Sequence, residues 1–359
     1  MSTNLKALFV TSAALAIVAS SMVATSAGAE GLKQVGTIPI PGNPIDQFGV
    51  IAVDQATGLG YLADKDNKGV VVFDTKADKF VTRIGGFVGQ TKDGNTSGPN
   101  GVVVVGSELW ASDGDSTIKV VDLKTNTIAA TIVTGGKARA NAMAYDPNTR
   151  TVLVANSNDD PTFINLISAD AGRKITAKIP MPDSAENIER SAYHAPSGTF
   201  FTVLPVSRKD PTKGLLAQTD PKSGKLVKLT EIEKCHPHSL SIVSDTTIFM
   251  GCSSVHGPTP KPGGDMAIFD IPSGKVEGYA AGFGGNGGST VNSKLGQYYH
   301  ATTNGTLVVV DIKTRKAEKV TTPKGSRSLG VSLANNRVYL ATSAKEGGCG
   351  GCIVVMAPE

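Results

Sequence analysis

The sequence predicts an all-β fold, a seven-bladed β-propeller of four-stranded antiparallel blades, closed when the N-terminal strand completes the last blade. Three observations predict it. A polar turn recurs along the chain, a strand hairpin precedes each copy of that turn, and the two ends of the chain carry complementary parts of one blade. A repeat of roughly 40–50 residues built from short strands is the sequence mark of a propeller.

The turn is clearest at Asp74-Thr-Lys-Ala-Asp-Lys79, after the apolar run Val70–Phe73. The same frame returns at Asp122–Thr127, Asp220–Lys225, Asp270–Lys275 and Asp311–Lys316, and in degenerate form at Ser168–Arg173. An Asp or Ser closing a strand can accept from backbone N–H groups inside the turn. A Gly, Asn, Asp or Arg a few residues on takes the left-handed position.

Upstream of each turn lie two short strands joined by a polar turn. They read as Gly49–Asp54 with Leu59–Ala63, Gly101–Val105 with Leu109–Ser112, and Asn141–Asp146 with Val152–Asn156. Four more follow: Arg190–His194 with Thr199–Leu204, His238–Val243 with Thr247–Cys252, Gly288–Asn292 with Gln297–Thr302, and Ser328–Leu333 with Arg337–Thr342. Six of these seven hairpins lead into an Asp-type turn. The seventh leads only into Cys352–Met356, one strand short of a blade, whereas Leu32–Ile40 is a strand with no hairpin before it. Pairing the two closes the ring and removes open sheet edges.

The first 29 residues read as a secretory signal peptide: Lys6, a charge-free apolar stretch from Ala7 to Val23, and the small-x-small pattern Ala27-Gly28-Ala29 before Glu30. The propeller domain is then 30–359, in the periplasm or outside the cell, with no second apolar run long enough to span a membrane. The formal net charge of +4 is small and evenly spread. That excludes the basic stripe a nucleic-acid binder needs.

The blades carry a recognisable text. Val152-Leu-Val-Ala-Asn-Ser157, Leu109-Trp-Ala-Ser-Asp113, Tyr61-Leu-Ala-Asp64 and Val338-Tyr-Leu-Ala-Thr342 resemble the Tyr-Val-Thr-Asn core of YVTN-repeat (YncE-like) propellers. Ile118–Ile132 resembles the continuation of that repeat. The resemblance implies fold and compartment. It implies no activity, because propellers host enzymes, cofactor sites and interaction platforms alike.

In a propeller, the residues that lead into each innermost strand reach the axial funnel on one face. Here these are Gln47 and Phe48, Asn100, Arg139 and Asn141, Glu189 and Arg190, His236 and His238, Asn286, and Arg327 and Ser328. Converging, they form a polar site with excess positive charge, suited to a small anion. The competing reading is that they cap strands and hold channel water.

Cys235-His236-Pro237-His238 is the sharpest local signal. Strand alternation puts both histidines on one side, where they can hold a divalent metal, with His256 in a loop of the same blade and Glu189 one blade away. No third ligand sits at diagnostic spacing, which favours the other reading, a strand-leading turn with one His tied to a backbone carbonyl. Cys235 and Cys252 flank a hairpin whose midpoint lies near Ser244-Asp245, which predicts a disulfide in an oxidising compartment. Cys349-Gly-Gly-Cys352 can close a small disulfide ring, serve as a redox pair or bind a metal. The polar loops Asp64-Lys-Asp66, Asp113-Gly-Asp115 and Asn156–Asp160 read as hydrated surface turns.

No catalytic constellation is recognisable, which favours a non-catalytic scaffold, a monomer that binds a small anionic ligand or a periplasmic protein. The alternative is a metal-assisted periplasmic enzyme (lyase, hydrolase or oxidoreductase), or a metal- or cofactor-holding accessory, using the funnel His and Glu residues.

Overall fold

A computed structural model of the protein describes residue 1 and residues 31–91, 96–253 and 264–359. The signal peptide expected before Glu30 and the histidine at position 256 lie outside the described residues. Among the described residues there are seven sheets, each of four antiparallel strands.

Blades 1 to 6 are each built from four consecutive strands, and their leading strands are Phe48–Val53, Val102–Val105, Ala140–Asp146, Ser191–His194, His236–Ser244 and Ser289–Asn292. Blade 7 leads with Ser326–Ser332, continues through Arg337–Thr342 and Cys352–Pro358, and is completed by Leu32–Pro39 from the other end of the chain. Its closing register runs from Leu32 opposite Pro358 to Pro39 opposite Cys352, with Ile38 opposite Ile353. Each leading strand touches the leading strands of both neighbouring blades, and the circuit closes between Phe48–Val53 and Ser326–Ser332. The seven hairpins and the shared seventh blade therefore stand as the sequence predicts.

The burial pattern explains why these segments fold as they do. The second strand of a blade is covered on both faces by adjacent blades, so Thr151–Asn156 and Thr199–Leu204 are buried at every position. The outermost strands Thr127–Val133 and Lys275–Ala281 are covered on one face only, and their side chains alternate between exposed and half-buried. Apolar contact joins blade to blade. Trp110 of blade 2 packs with Val152 and Val154 of blade 3, and Ile38 packs with Phe73 of blade 1 and Tyr339 of blade 7.

The recurrent turn works as its chemistry requires. Asp74, Asp122 and Asp311 accept from the backbone N–H of Lys76, Lys124 and Thr314 at 2.7, 2.7 and 2.6 Å. The left-handed position falls on Asp78, Asn126, Gly224, Gly274 and Arg315, at φ between 51° and 68°. Glycine and Asn adopt that conformation at low cost, and the remaining positions are held by the hairpin around them.

Both cysteine pairs are disulfides, Cys235–Cys252 and Cys349–Cys352. The first staples the leading hairpin of blade 5. The second closes the loop that precedes the strand Cys352–Pro358. Among the described residues no helix is long and apolar enough to cross a membrane.

Candidate functional site

A cavity of about 160 Å³ lies where the leading strands meet. Its walls are Phe48, Gly49, Lys65, Asn100, Arg139, Asn141, Glu189, Arg190, His238, Asn286, Gly287, Arg327 and Ser328, so all seven blades contribute. The expected residues Asn100, Arg139, Asn141, Glu189, Arg190, His238, Asn286 and Arg327 are brought together. Gln47 and His236 are not among the lining residues.

Two local features aim these side chains. In four leading strands the pairing register breaks near the cavity, between Phe48 and Ile51, Ala140 and Met143, Pro237 and Ser239, and Ser326 and Ser328. A bulge adds one residue and re-aims its side chain, and in the last two strands the added residue is His238 and Arg327. Glycine supplies the second feature. A Cβ on Gly49 would stand 2.0 Å from the Asn100 carbonyl oxygen of the next blade, so only Gly lets these backbones meet.

The bulge corrects the expectation for the histidines. Simple alternation puts His236 and His238 on one side, but the extra residue breaks that alternation. His238 lines the cavity, with Nδ1 3.9 Å from a Glu189 carboxylate oxygen and Nε2 3.2 Å from the Ser253 hydroxyl. His236 instead donates from Nε2 to the Pro211 carbonyl at 2.8 Å. Among the described residues no cluster of three or more His, Cys, Asp or Glu is arranged to hold a metal ion.

Some of the amides serve the ring itself. Asn100 Nδ2 donates to the carbonyls of Ser97 and Ala140 at 2.6 and 2.9 Å, and Asn141 Nδ2 donates to the Ile188 carbonyl at 3.4 Å. The bonds to Ala140 and Ile188 tie one blade to the next.

The charged groups are held differently. Arg139 Nε donates to Asn158 Oδ1 at 2.9 Å. Arg327 donates from Nη2 to the Asp46 carbonyl at 3.2 Å, and its guanidinium lies 4.1 Å from the centre of the Phe48 ring. The side chains of Arg190 and Lys65 have no hydrogen-bond or ion-pair partner among the described residues; Glu189 approaches His238 and acts on Arg190 and Lys65 only at longer range.

Sequence reasoning missed Lys65. Its segment reads as a hydrated turn, yet Lys65 is 8% exposed, and Asp64, Asp113 and Asn156 are fully buried. These positions end second strands, where the chain crosses toward the outer part of its blade. Asp64 accepts from Asn67 and Arg83, and Asp113 accepts from the backbone of Val88 and Gly114. The Lys65 backbone N–H donates to the Gln47 carbonyl at 3.1 Å, which seats the residue over the cavity.

Burial, reinforced by Arg139, Arg327 and Arg190, pushes the Lys65 ammonium down to about 7, and Glu189 only partly offsets this. Burial also lowers Arg190, Arg327 and His238. The arginines remain charged at neutral pH, and the imidazole is favoured in its neutral form.

Comparison with known proteins bears on the fold. No family model matches the sequence, and no curated protein does. Among solved structures, the WD40 domain of Pan2 from Neurospora crassa is similar with a TM-score of 0.67 at 15% identity. The match covers 92% of this chain and 97% of that one. At that identity the similarity shows a propeller and nothing about activity.

Proposed function

We propose that the protein is an exported, non-catalytic binding scaffold whose polar axial funnel takes a small anion. The observation that carries this reading is the convergence of Lys65, Arg139, Arg190 and Arg327 in one cavity with a single carboxylate, Glu189. A buried cation without a counter-charge is costly, and an anionic ligand relieves that cost. Export is supported by the leader-like first 29 residues and by two disulfides, which persist in oxidising compartments. The YVTN-like text of the blades agrees with such a placement.

Calorimetric titration of the purified chain with a panel of small anions at fixed ionic strength tests the reading. Saturable binding that Arg190→Gln weakens supports it. A panel that contains no binder removes it.

The approach of His238 to Glu189 favours one second reading, acid–base or metal chemistry in the same cavity. Metal analysis of protein purified without chelator separates the two. Stoichiometric metal that disappears in His238→Ala supports the second reading.

A further inference from the structure

We infer that the cavity selects a compact oxyanion carrying two or more negative charges, of the phosphate or small dicarboxylate kind, over monovalent anions. This rests on the anion-binding reading above and narrows it to a ligand class.

Charge is the first argument. Four cationic side chains from four blades face one carboxylate. Counting the lining groups with all four cations protonated, a monovalent ligand leaves two positive charges and a divalent or trivalent one leaves one or none, with Asp46, Asp66 and Glu346 acting on Arg327 from outside the wall.

Donor geometry is the second. Both Asn100 N–H groups are spent on backbone carbonyls, and Asn141 is tied to Ile188. Asn286 and Ser328 remain on the wall as neutral donors, and the recognition of charge falls to the cations. Arg190 makes no direct hydrogen bond or ion pair among the described residues and feels Glu189 only at longer range, while Arg139 and Arg327 each keep guanidinium donors beyond the one already used. A guanidinium offers a planar fork that matches carboxylate and phosphate oxygens two at a time.

Size is the third. A space of about 160 Å³ holds the liquid volume of roughly five waters. That suits inorganic phosphate or a short dicarboxylate.

The depressed Lys65 ammonium adds a signature. An anion arriving beside it restores the proton, so binding near neutral pH is accompanied by proton uptake.

The test is calorimetric titration with inorganic phosphate, sulfate, malonate, acetate and nitrate, at constant ionic strength, in two buffers of different ionisation enthalpy. The expected result is a divalent probe binding at least about tenfold tighter than acetate or nitrate, with proton uptake read from sulfate and malonate, which are dianions near neutral pH. Arg190→Gln and, independently, Lys65→Gln should erase that advantage while thermal unfolding shows a folded protein. Preference for phosphate and sulfate or for malonate then identifies the source. Acetate binding as tightly as every divalent probe, with both lost in Arg190→Gln, overturns the inference but leaves the anion site standing. If no probe binds, the inference and the reading beneath it fail together.

Discussion

The Arg327 guanidinium rests 4.1 Å from the centre of the Phe48 ring, and so joins the last blade to the first at the cavity wall. The same arginine donates to the Asp46 carbonyl, while Asp46 accepts from Ser343 at 2.5 Å and Lys345 at 2.6 Å. The segment that begins blade 1 thus holds a cavity cation and the loop before the chain's last strand at once. Ring closure and cavity shape are coupled here.

Phe48→Leu keeps an apolar side chain but removes the aromatic face under Arg327. Cation–π contacts of this kind contribute roughly 0.5–2 kcal/mol, so anion affinity should fall roughly 2- to 30-fold. Calorimetry on this variant and on native protein measures the change. Unaltered affinity would show that Asp46 alone orients Arg327.

Ile38 and Val35 lie on the strand that completes blade 7, one buried and one exposed. Ile38→Ala removes packing against Phe73, Tyr339 and Ile353, and should cost about 2–5 kcal/mol. Val35→Ala should change stability by less than about 0.5 kcal/mol. Calorimetric unfolding of the two variants checks this. Equal effects would mean that the strand does not close the ring in solution.

The two disulfides cross-link loops of different size, with sequence separations of 17 and 3. Loop-closure entropy grows with length, so Cys235→Ser with Cys252→Ser should cost about 3 kcal/mol, and the pair Cys349→Ser with Cys352→Ser about 2. Intact mass after alkylation without reductant should show no free thiol in the native chain. Alkylation at any of the four cysteines would contradict the pairing.

Particular residues show why some of this was legible in the sequence. Leu32 and Cys352 mark incomplete halves of one blade, and their pairing follows from counting hairpins. Cys235 and Cys252 lie about equally far from a turn, so their bond follows from hairpin symmetry. Asn100, Arg139, Arg190 and Arg327 precede or begin leading strands, and strand direction carries them to one place. Strand alternation puts His236 beside His238, and the bulge that separates them leaves no trace in a period-two pattern, whereas the other reading, one His tied to a backbone carbonyl, is what His236 does at Pro211. Lys65 was missed because a charged triplet looks the same whether it faces water or a crowded crossing between strands. Burial there depends on neighbours distant in sequence.

Lys65 also gives the protein a pH signature. Its ammonium is held near 7 when folded and near 10.5 when unfolded. From about pH 7 to 10 the unfolded chain therefore binds a proton that the folded chain does not, and stability rises with pH across that window. Below pH 7 both states are protonated and the destabilisation is present in full. Lys65→Gln removes the group, so the variant should be the more stable at pH 6, by up to roughly 5 kcal/mol, and the advantage should shrink to about 1 kcal/mol or less by pH 10. Subtracting one stability curve from the other cancels the remaining lysines. A saturating divalent anion pairs with the ammonium, raises its folded-state value and should flatten the native curve. Thermal unfolding of both proteins between pH 6 and 10, with and without phosphate, measures each part. Parallel curves would mean that Lys65 keeps an ordinary charge, and that the cavity does not hold it in a dry, positive environment.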